Sequence, residues 1–301
     1  MAGLEARTTN RRNLQSAIVN LQSSMSSFRG WARPGPIPPG ARDLPVVPPD
    51  ETLDFISGHF RIFQLRDGHR FSTDDVLAAW YGTTWCPSAA TVLDLGSGIG
   101  SVAIIAAWRL PGARVVTVEA QEVSVALARK SMAFNGLADR VDPRCADFRD
   151  PAALAPDERF DLVMGSPPYF PVGSGIQGDH PQKVACRFEL RGDIHDYCAV
   201  ARRHLASGGV FACVFPQPDG QRERMLEAAR ANGLAIVRHR PVVLREGAPP
   251  LLGLYAMTRA TDLPEPMREQ AWVEPDLVIR RADGAVHPEY QAIKLAFGFP
   301  P

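Results

Sequence analysis

Thr91-Val92-Leu93-Asp94-Leu95 is a short apolar run that leads straight into Gly96-Ser97-Gly98-Ile99-Gly100, and a helical stretch over residues 101–110 follows. Glycines at alternate positions behind a buried strand let the backbone approach a ligand closely and place that ligand at the N-terminus of the next helix. The alternation of strand and helix then continues, which is the pattern of a parallel sheet covered by helices. Further strands are expected over residues 114–119, 141–145, 160–164, 210–215, 235–238 and 252–257, and further helices over 124–135, 194–205 and 222–232. The expected fold is α/β: a Rossmann-like, mostly parallel seven-stranded sheet with helices on both faces. It occupies residues 51–301, including a short C-terminal extension.

Residues 1–50 have a different character. They mix Ser, Asn and Arg and then become Pro-rich through Ala32-Arg33-Pro34-Gly35-Pro36-Ile37-Pro38-Pro39-Gly40, a composition that cannot build a packed core. They read as a flexible arm, with an amphipathic helix expected over residues 13–28 through Leu14, Ile18, Leu21 and Met25. Few acids and many Arg in this arm give an organellar leader as the alternative to a cytoplasmic location. No apolar run is long enough to span a membrane. The five cysteines, at 86, 145, 186, 198 and 213, show no C-x-x-C spacing, so neither a disulfide framework nor a zinc or other metal site is expected. Lys+Arg and Asp+Glu balance at 33 each, so a nucleic-acid partner would have to be held by a local basic patch. Candidates for that patch are Arg202, Arg203, Arg238 and Arg240, with Arg11, Arg12 and Arg29 from the arm.

Carboxylates recur where successive strands end. Asp94 precedes the glycine turn of Gly96, Gly98 and Gly100 and suits an ammonium group. Glu119 closes the second strand about twenty residues beyond that turn, where a carboxylate accepts from ribose hydroxyls. Asp147 and Phe148 follow the third strand, where an acid and a ring can bind an adenine edge and face. A dinucleotide remains an alternative on these residues alone. The fourth strand decides against it, because it runs into Ser166-Pro167-Pro168-Tyr169. Two prolines hold a turn in which Ser166 Oγ and the Pro167 carbonyl can accept from an exocyclic amino group and favour its pyramidal, nucleophilic form. Tyr169 can stack on the planar acceptor and hold it in line. The segment 171–183, which contains Asp179 and His180, reads as a flap over this site, with His180 in an exposed loop.

These motifs resemble those of the class I N6-adenine methyltransferases that carry an (Asn/Asp/Ser)-Pro-Pro-(Tyr/Phe) turn. The likeness is greatest to the bacterial tRNA adenine N6-methyltransferases acting on the anticodon loop of a valine tRNA. It extends over about residues 55–290 and includes Gly68-His69-Arg70-Phe71-Ser72-Thr73-Asp74, Arg187-Phe188-Glu189, and Ala282-Asp283-Gly284-Ala285-Val286-His287-Pro288-Glu289. The resemblance implies S-adenosylmethionine as cofactor, with Arg70, Phe71 and Asp74 lying over it beside Asp94, Gly96, Gly98, Gly100, Glu119, Asp147, Phe148 and Ser166. It also implies an RNA partner, most directly tRNA, with transfer at Ser166, Pro167, Pro168 and Tyr169. The family usually has Asn where this chain has Ser166, whose oxygen sits one bond closer to the backbone. Serine in this motif also occurs in N4-cytosine DNA methyltransferases, which commonly place the motif before the glycine loop rather than after it. A protein glutamine or other amide methyltransferase, and a cofactor-binding scaffold without catalysis, are the alternative functions.

Overall fold

The computed structural model describes residues 27–28, 31–32, 37–39, 41, 45–173 and 180–299. Ser27–Phe28 pairs with Trp31–Ala32 in a small antiparallel ladder, so the end of the expected helix over 13–28 is extended. The rest of that helix, with Arg11, Arg12 and Arg29, lies outside the described residues.

After that ladder comes an antiparallel hairpin, β1 (Glu51–Ser57) and β2 (Phe60–Leu65), followed by α1 (Thr73–Trp85). The strand behind the glycine turn is β3 (Thr91–Leu95), then come α2 (Ser101–Arg109), β4 (Arg114–Glu119), α3 (Glu122–Phe134), β5 (Val141–Cys145) and β6 (Phe160–Gly165). After β6 the chain forms α4 (Pro181–Arg187), α5 (Ile194–His204), β7 (Leu205–Pro216) and α6 (Gln221–Ala231). It ends in β8 (Leu234–Arg245), β9 (Leu252–Arg259), β10 (Trp272–Val273), β11 (Leu277–Arg280) and α7 (Pro288–Ala296).

The main sheet runs β10-β8-β9-β7-β6-β3-β4-β5, with β11 also pairing β8. Contacts among β5, β4, β3, β6 and β7 are parallel, whereas β9 is antiparallel to both neighbours. All seven expected strands are present. The sheet is nevertheless 9-stranded, because the short β10 and β11 extend it alongside β8. Their few residues carry too little periodicity to stand out in the sequence. Edge strand β5 tolerates Pro143, whose missing N–H costs nothing on the unpaired side.

Each face of the sheet buries its own core. Leu77, Ile104, Ile105 and Leu127, from α1, α2 and α3, pack on one face with Ile62 of the hairpin and Ile293 of α7. Ile194, Cys198 and Met225, from α5 and α6, fill the other with Phe211 and Phe215. The β1–β2 hairpin is fastened to α3 by buried polar contacts: Arg61 N donates to Asn135 Oδ1 at 2.8 Å, Asn135 Nδ2 donates to Arg61 O at 2.6 Å, and Phe63 N donates to Ser131 Oγ at 3.0 Å. At its other end, Gly58 N and Ser57 Oγ both donate to Phe297 O, just past α7.

Asn135→Ala removes both hydrogen-bond partners of the Arg61 backbone in a buried setting, an expected loss of about 2–5 kcal/mol. Urea unfolding checks this; an unchanged midpoint would mean the hairpin is held without Asn135.

Candidate active site

The chain builds β3, β4 and β5 outward to one edge and then crosses back to place β6 against the other side of β3. Such a reversal opens a crevice at the carboxyl ends of the strands, where open α/β sheets bind ligands. Leu95 and Gly165 are register partners, so the glycine turn and the Ser166-Pro167-Pro168-Tyr169 turn emerge side by side. Between them lies a cavity of about 590 Å³, within the ordinary range for a small-molecule site.

Two glycines make room for the side chain at its floor. A Cβ on Gly96, whose φ is +61°, would lie 2.0 Å from the Tyr197 hydroxyl, and one on Gly165 would lie 2.9 Å from the same ring. A Cβ on Gly98, at φ +54°, would meet nothing within 4 Å, so this stretch of backbone faces open space. Gly100 does not line the cavity; it is the left-handed N-cap of α2 and clears Met132 and Ala128.

The carboxylates take distinct positions on the wall. Glu119 is buried, and each of its oxygens accepts a backbone amide: Oε2 from Gly98 at 2.9 Å and Oε1 from Gln121 at 2.7 Å. Remaining lone pairs on both oxygens suit a pair of hydroxyl donors. Asp94, 1% exposed, accepts from Ala103 N at 3.2 Å in the first turn of α2. Burial, reinforced by the nearby Asp75 carboxylate, holds its pKa well above the ordinary aspartate value. A cationic ligand group beside it would restore the charged form. Ser97 Oγ is buried in the same wall with no partner among the described residues, so the site holds an unsatisfied polar atom beside a carboxylate whose charge burial disfavours.

Asp147 and Phe148 lie at the other end of the cavity. Phe148 packs edge-on against Tyr197, with centroids 4.6 Å apart. Both Asp147 oxygens are engaged by Arg149, and that guanidinium pulls the Asp147 pKa down. Arg70 lines the cavity but is ion-paired to Asp54 at 2.8 Å. Phe71 departs from expectation: it packs into the apolar core instead of the cavity wall, with its N–H donated to Gln64 Oε1.

Asp74 does more than line the site. Its Oδ2 accepts from the Tyr169 hydroxyl at 2.7 Å, locking the tyrosine of the Pro-Pro turn from the start of α1. From the opposite side, Gln221 Nε2 donates to Tyr169 O at 3.2 Å. Gln221 accepts from Arg224, whose guanidinium also pairs with Glu189 at 2.8 Å. Pro167 and Pro168 line the cavity between these anchors.

The roof is α4, where the sequence suggests a loop. Residues 174–179, including Asp179, lie outside the described residues, but Pro181–Arg187 is helical and His180 is its half-buried N-cap residue instead of an exposed one. Gln182, 3% exposed, ties α4 down by accepting from His69 N at 2.9 Å and donating to Ser124 Oγ at 3.0 Å. Cys186 faces the cavity beside Gln121, and burial pushes its thiol up to about 12. Gln182, Cys186, Tyr197 and Asp75 are site residues that the sequence does not reveal, since none belongs to a motif with fixed spacing. Among the described residues the expected basic stripe is not assembled, and Arg11, Arg12 and Arg29 lie outside them. Arg202 and Arg203 end α5 beside the start of β7, away from the cavity, Arg240 is buried against Glu289, and Arg238 is stacked over Trp85 at 3.6 Å.

A glycine turn, strand-end carboxylates and a Pro-Pro-Tyr turn across one switch point define a class I methyltransferase. The Methyltransferase small domain family matches residues 83–235, just over half of the chain, and the chain belongs to that family; it is an S-adenosylmethionine-dependent methyltransferase. A tRNA1(Val) (adenine(37)-N6)-methyltransferase of Vibrio parahaemolyticus is 29% identical over 191 residues, covering 62% of this chain and 75% of the relative. The protein of the same name from Shewanella amazonensis is 30% identical over 207 residues, covering 67% and 85%. A solved structure of a predicted O-methyltransferase from Agrobacterium tumefaciens shares the fold, with a TM-score of 0.57, 18% identity, and 75% of this chain and 97% of that one covered. No helix among the described residues is long and apolar enough to cross a membrane.

Gly98→Ala adds a methyl to open space and should cost about 1–2 kcal/mol of stability for its left-handed backbone, while sharply weakening cofactor binding. Gly96→Ala should lose more stability, because Tyr197 must also move. Paired melting and calorimetry with S-adenosylhomocysteine separate the two, and equal behaviour of both variants would contradict the geometry. Protonated Asp94 cannot balance a cation, so cofactor affinity should fall as pH drops through its raised pKa. Asp94→Asn should flatten that dependence and cost about 1.5–3 kcal/mol of binding at neutral pH; an unaltered pH profile would place the ammonium elsewhere.

Proposed function

We propose that this enzyme transfers the methyl group to the exocyclic N6 of adenine in RNA, with tRNA as the substrate class. The observation that carries this reading is the Ser166-Pro167-Pro168-Tyr169 turn, held rigid beside the glycine turn by Asp74 on one side and Gln221 on the other. The names of the relatives support the same acceptor.

The bound cofactor supplies an electrophilic methyl on a sulfonium centre. The residues proposed to hold it are Asp94 for the ammonium, Glu119 for the ribose hydroxyls, the Gly96 and Gly98 backbone for close approach, and Asp147 with Phe148 for the adenine. Arg70 closes the cavity from the hairpin side, and Asp74 acts as a positioning residue through Tyr169. Ser166 Oγ and the Pro167 carbonyl accept from the target amino group, drawing its lone pair out of conjugation with the ring. Tyr169 presents its ring to the base, and its fixed hydroxyl removes one torsional freedom before substrate arrives. The short Ser166 side chain places its oxygen close to the turn, which suits a target nitrogen seated deep in the site. No proton-accepting side chain has to be invoked for bond formation, since the amino nitrogen sheds its proton after attack.

Tyr169→Ala should cut transfer by about 5- to 150-fold, from loss of about 1–3 kcal/mol of stacking, while cofactor affinity is retained. Glu119→Ala should weaken cofactor binding first. The deciding test is tritium transfer from labelled S-adenosylmethionine into separate tRNA, rRNA, DNA and protein pools, followed by nucleoside analysis. Label in tRNA as N6-methyladenosine supports the reading. Label confined to protein supports a glutamine or amide methyltransferase, and cofactor binding without any transfer supports a scaffold.

A further inference from the structure

Among the cations that line the cavity, Arg70 pairs with Asp54 and Arg66 donates to the Pro49 and Glu51 carbonyls; beside it, Arg149 pairs with Asp147 and Arg224 with Glu189. Lys183 and Arg187 stand together on α4. They lie one turn apart on the same side of α4, both are exposed, both line the cavity, and neither makes an ion pair with a described carboxylate. Their charge reaches inward: after burial, Arg187 and Lys183 contribute to holding the His69 imidazole below its ordinary pKa. In a chain whose total charge is balanced, two cations at a cavity mouth that pair with no described carboxylate favour an anionic ligand there.

An aromatic side chain stands beside them. Phe170 directly follows the acceptor tyrosine, and its backbone is clamped on both sides: its N–H donates to Arg187 O at 3.1 Å, and its carbonyl accepts from Glu189 N at 2.9 Å. The ring itself is 40% exposed. It leans on buried Phe188, with centroids 5.7 Å apart, and Arg187 stands 5.9 Å from its centroid. A rigidly held but exposed ring next to exposed cations is the combination that binds single-stranded nucleic acid, where bases stack and phosphates are neutralised.

We propose that Phe170, Lys183 and Arg187 form a ledge that binds the RNA strand beside the target adenosine: Phe170 stacks on the neighbouring base, and the two cations contact the flanking phosphates. This rests on the RNA reading above and adds the surface that selects a single-stranded loop. Arg191 lies toward the Asp147 end and belongs with the cofactor half.

The test uses the full chain, with fluorescent single-stranded oligoadenylate for binding and unmodified total tRNA for transfer. Lys183→Ala with Arg187→Ala should lower the salt slope of binding by about 1.4, at about 0.7 per single-strand phosphate contact. Phe170→Ala should weaken binding by about 10-fold with an unchanged slope. Lys183→Arg with Arg187→Lys should restore the slope, and S-adenosylhomocysteine affinity should hold throughout, which reports on folding. Wild-type transfer to tRNA with unchanged affinity and slope in the variants would overturn the ledge and leave the proposed function standing. Absence of RNA methylation by the wild-type protein would overturn both. If Phe170→Ala binds RNA normally and polyglutamate competes as well as RNA, the surface is a general anion site and the ledge is wrong.

Discussion

The register between β3 and β6 is the constraint on which the site depends. Because Leu95 lies opposite Gly165, the two turns that follow these strands leave the sheet together. A displacement by one residue would turn every β6 side chain to the other face and separate the turns. Tyr197 occupies the space between them, and only glycine at 96 and 165 leaves it that space. Backbone register, missing side chains and one buried ring therefore form a single arrangement.

Around that arrangement the polar groups divide the work. Glu119 is pre-set by the Gly98 and Gln121 amides, so its oxygens face the cavity before a ligand arrives. Asp94 is kept in a setting that disfavours its own charge, which a cationic ligand relieves. The Ser166-Pro167-Pro168-Tyr169 turn is held by contacts from α1 and α6, elements far apart in the chain. Rigidity at the acceptor and unsatisfied polarity at the cofactor end are both forms of preorganisation, in which folding has already met the cost of ordering.

Much of the architecture is legible in the sequence. The five parallel strands and their helices follow from apolar runs bounded by glycine turns, and Asp94, Glu119, Asp147, Phe148 and Ser166 do line one cavity. Phe71 misleads because its neighbours Arg70 and Ser72 face the cavity, while its own ring turns inward to the core. The basic stripe fails for a different reason. Arg is abundant along the chain, and nothing in its spacing distinguishes Arg240, buried against Glu289, from exposed Arg187.

Local periodicity, turn chemistry and the order of motifs are properties of neighbouring residues. They are enough to establish a parallel α/β sheet, a glycine turn behind β3 and a Pro-Pro-Tyr turn behind β6. Which groups meet across the fold is a different matter, because it depends on packing between segments distant in sequence. The Tyr169 hydroxyl reaching Asp74, Gln182 fastening α4 as a roof, and Phe170 meeting Arg187 were decided only by tertiary structure. These contacts join residues whose own sequence surroundings carry no periodic signal, so they exist only once the sheet has brought their segments together.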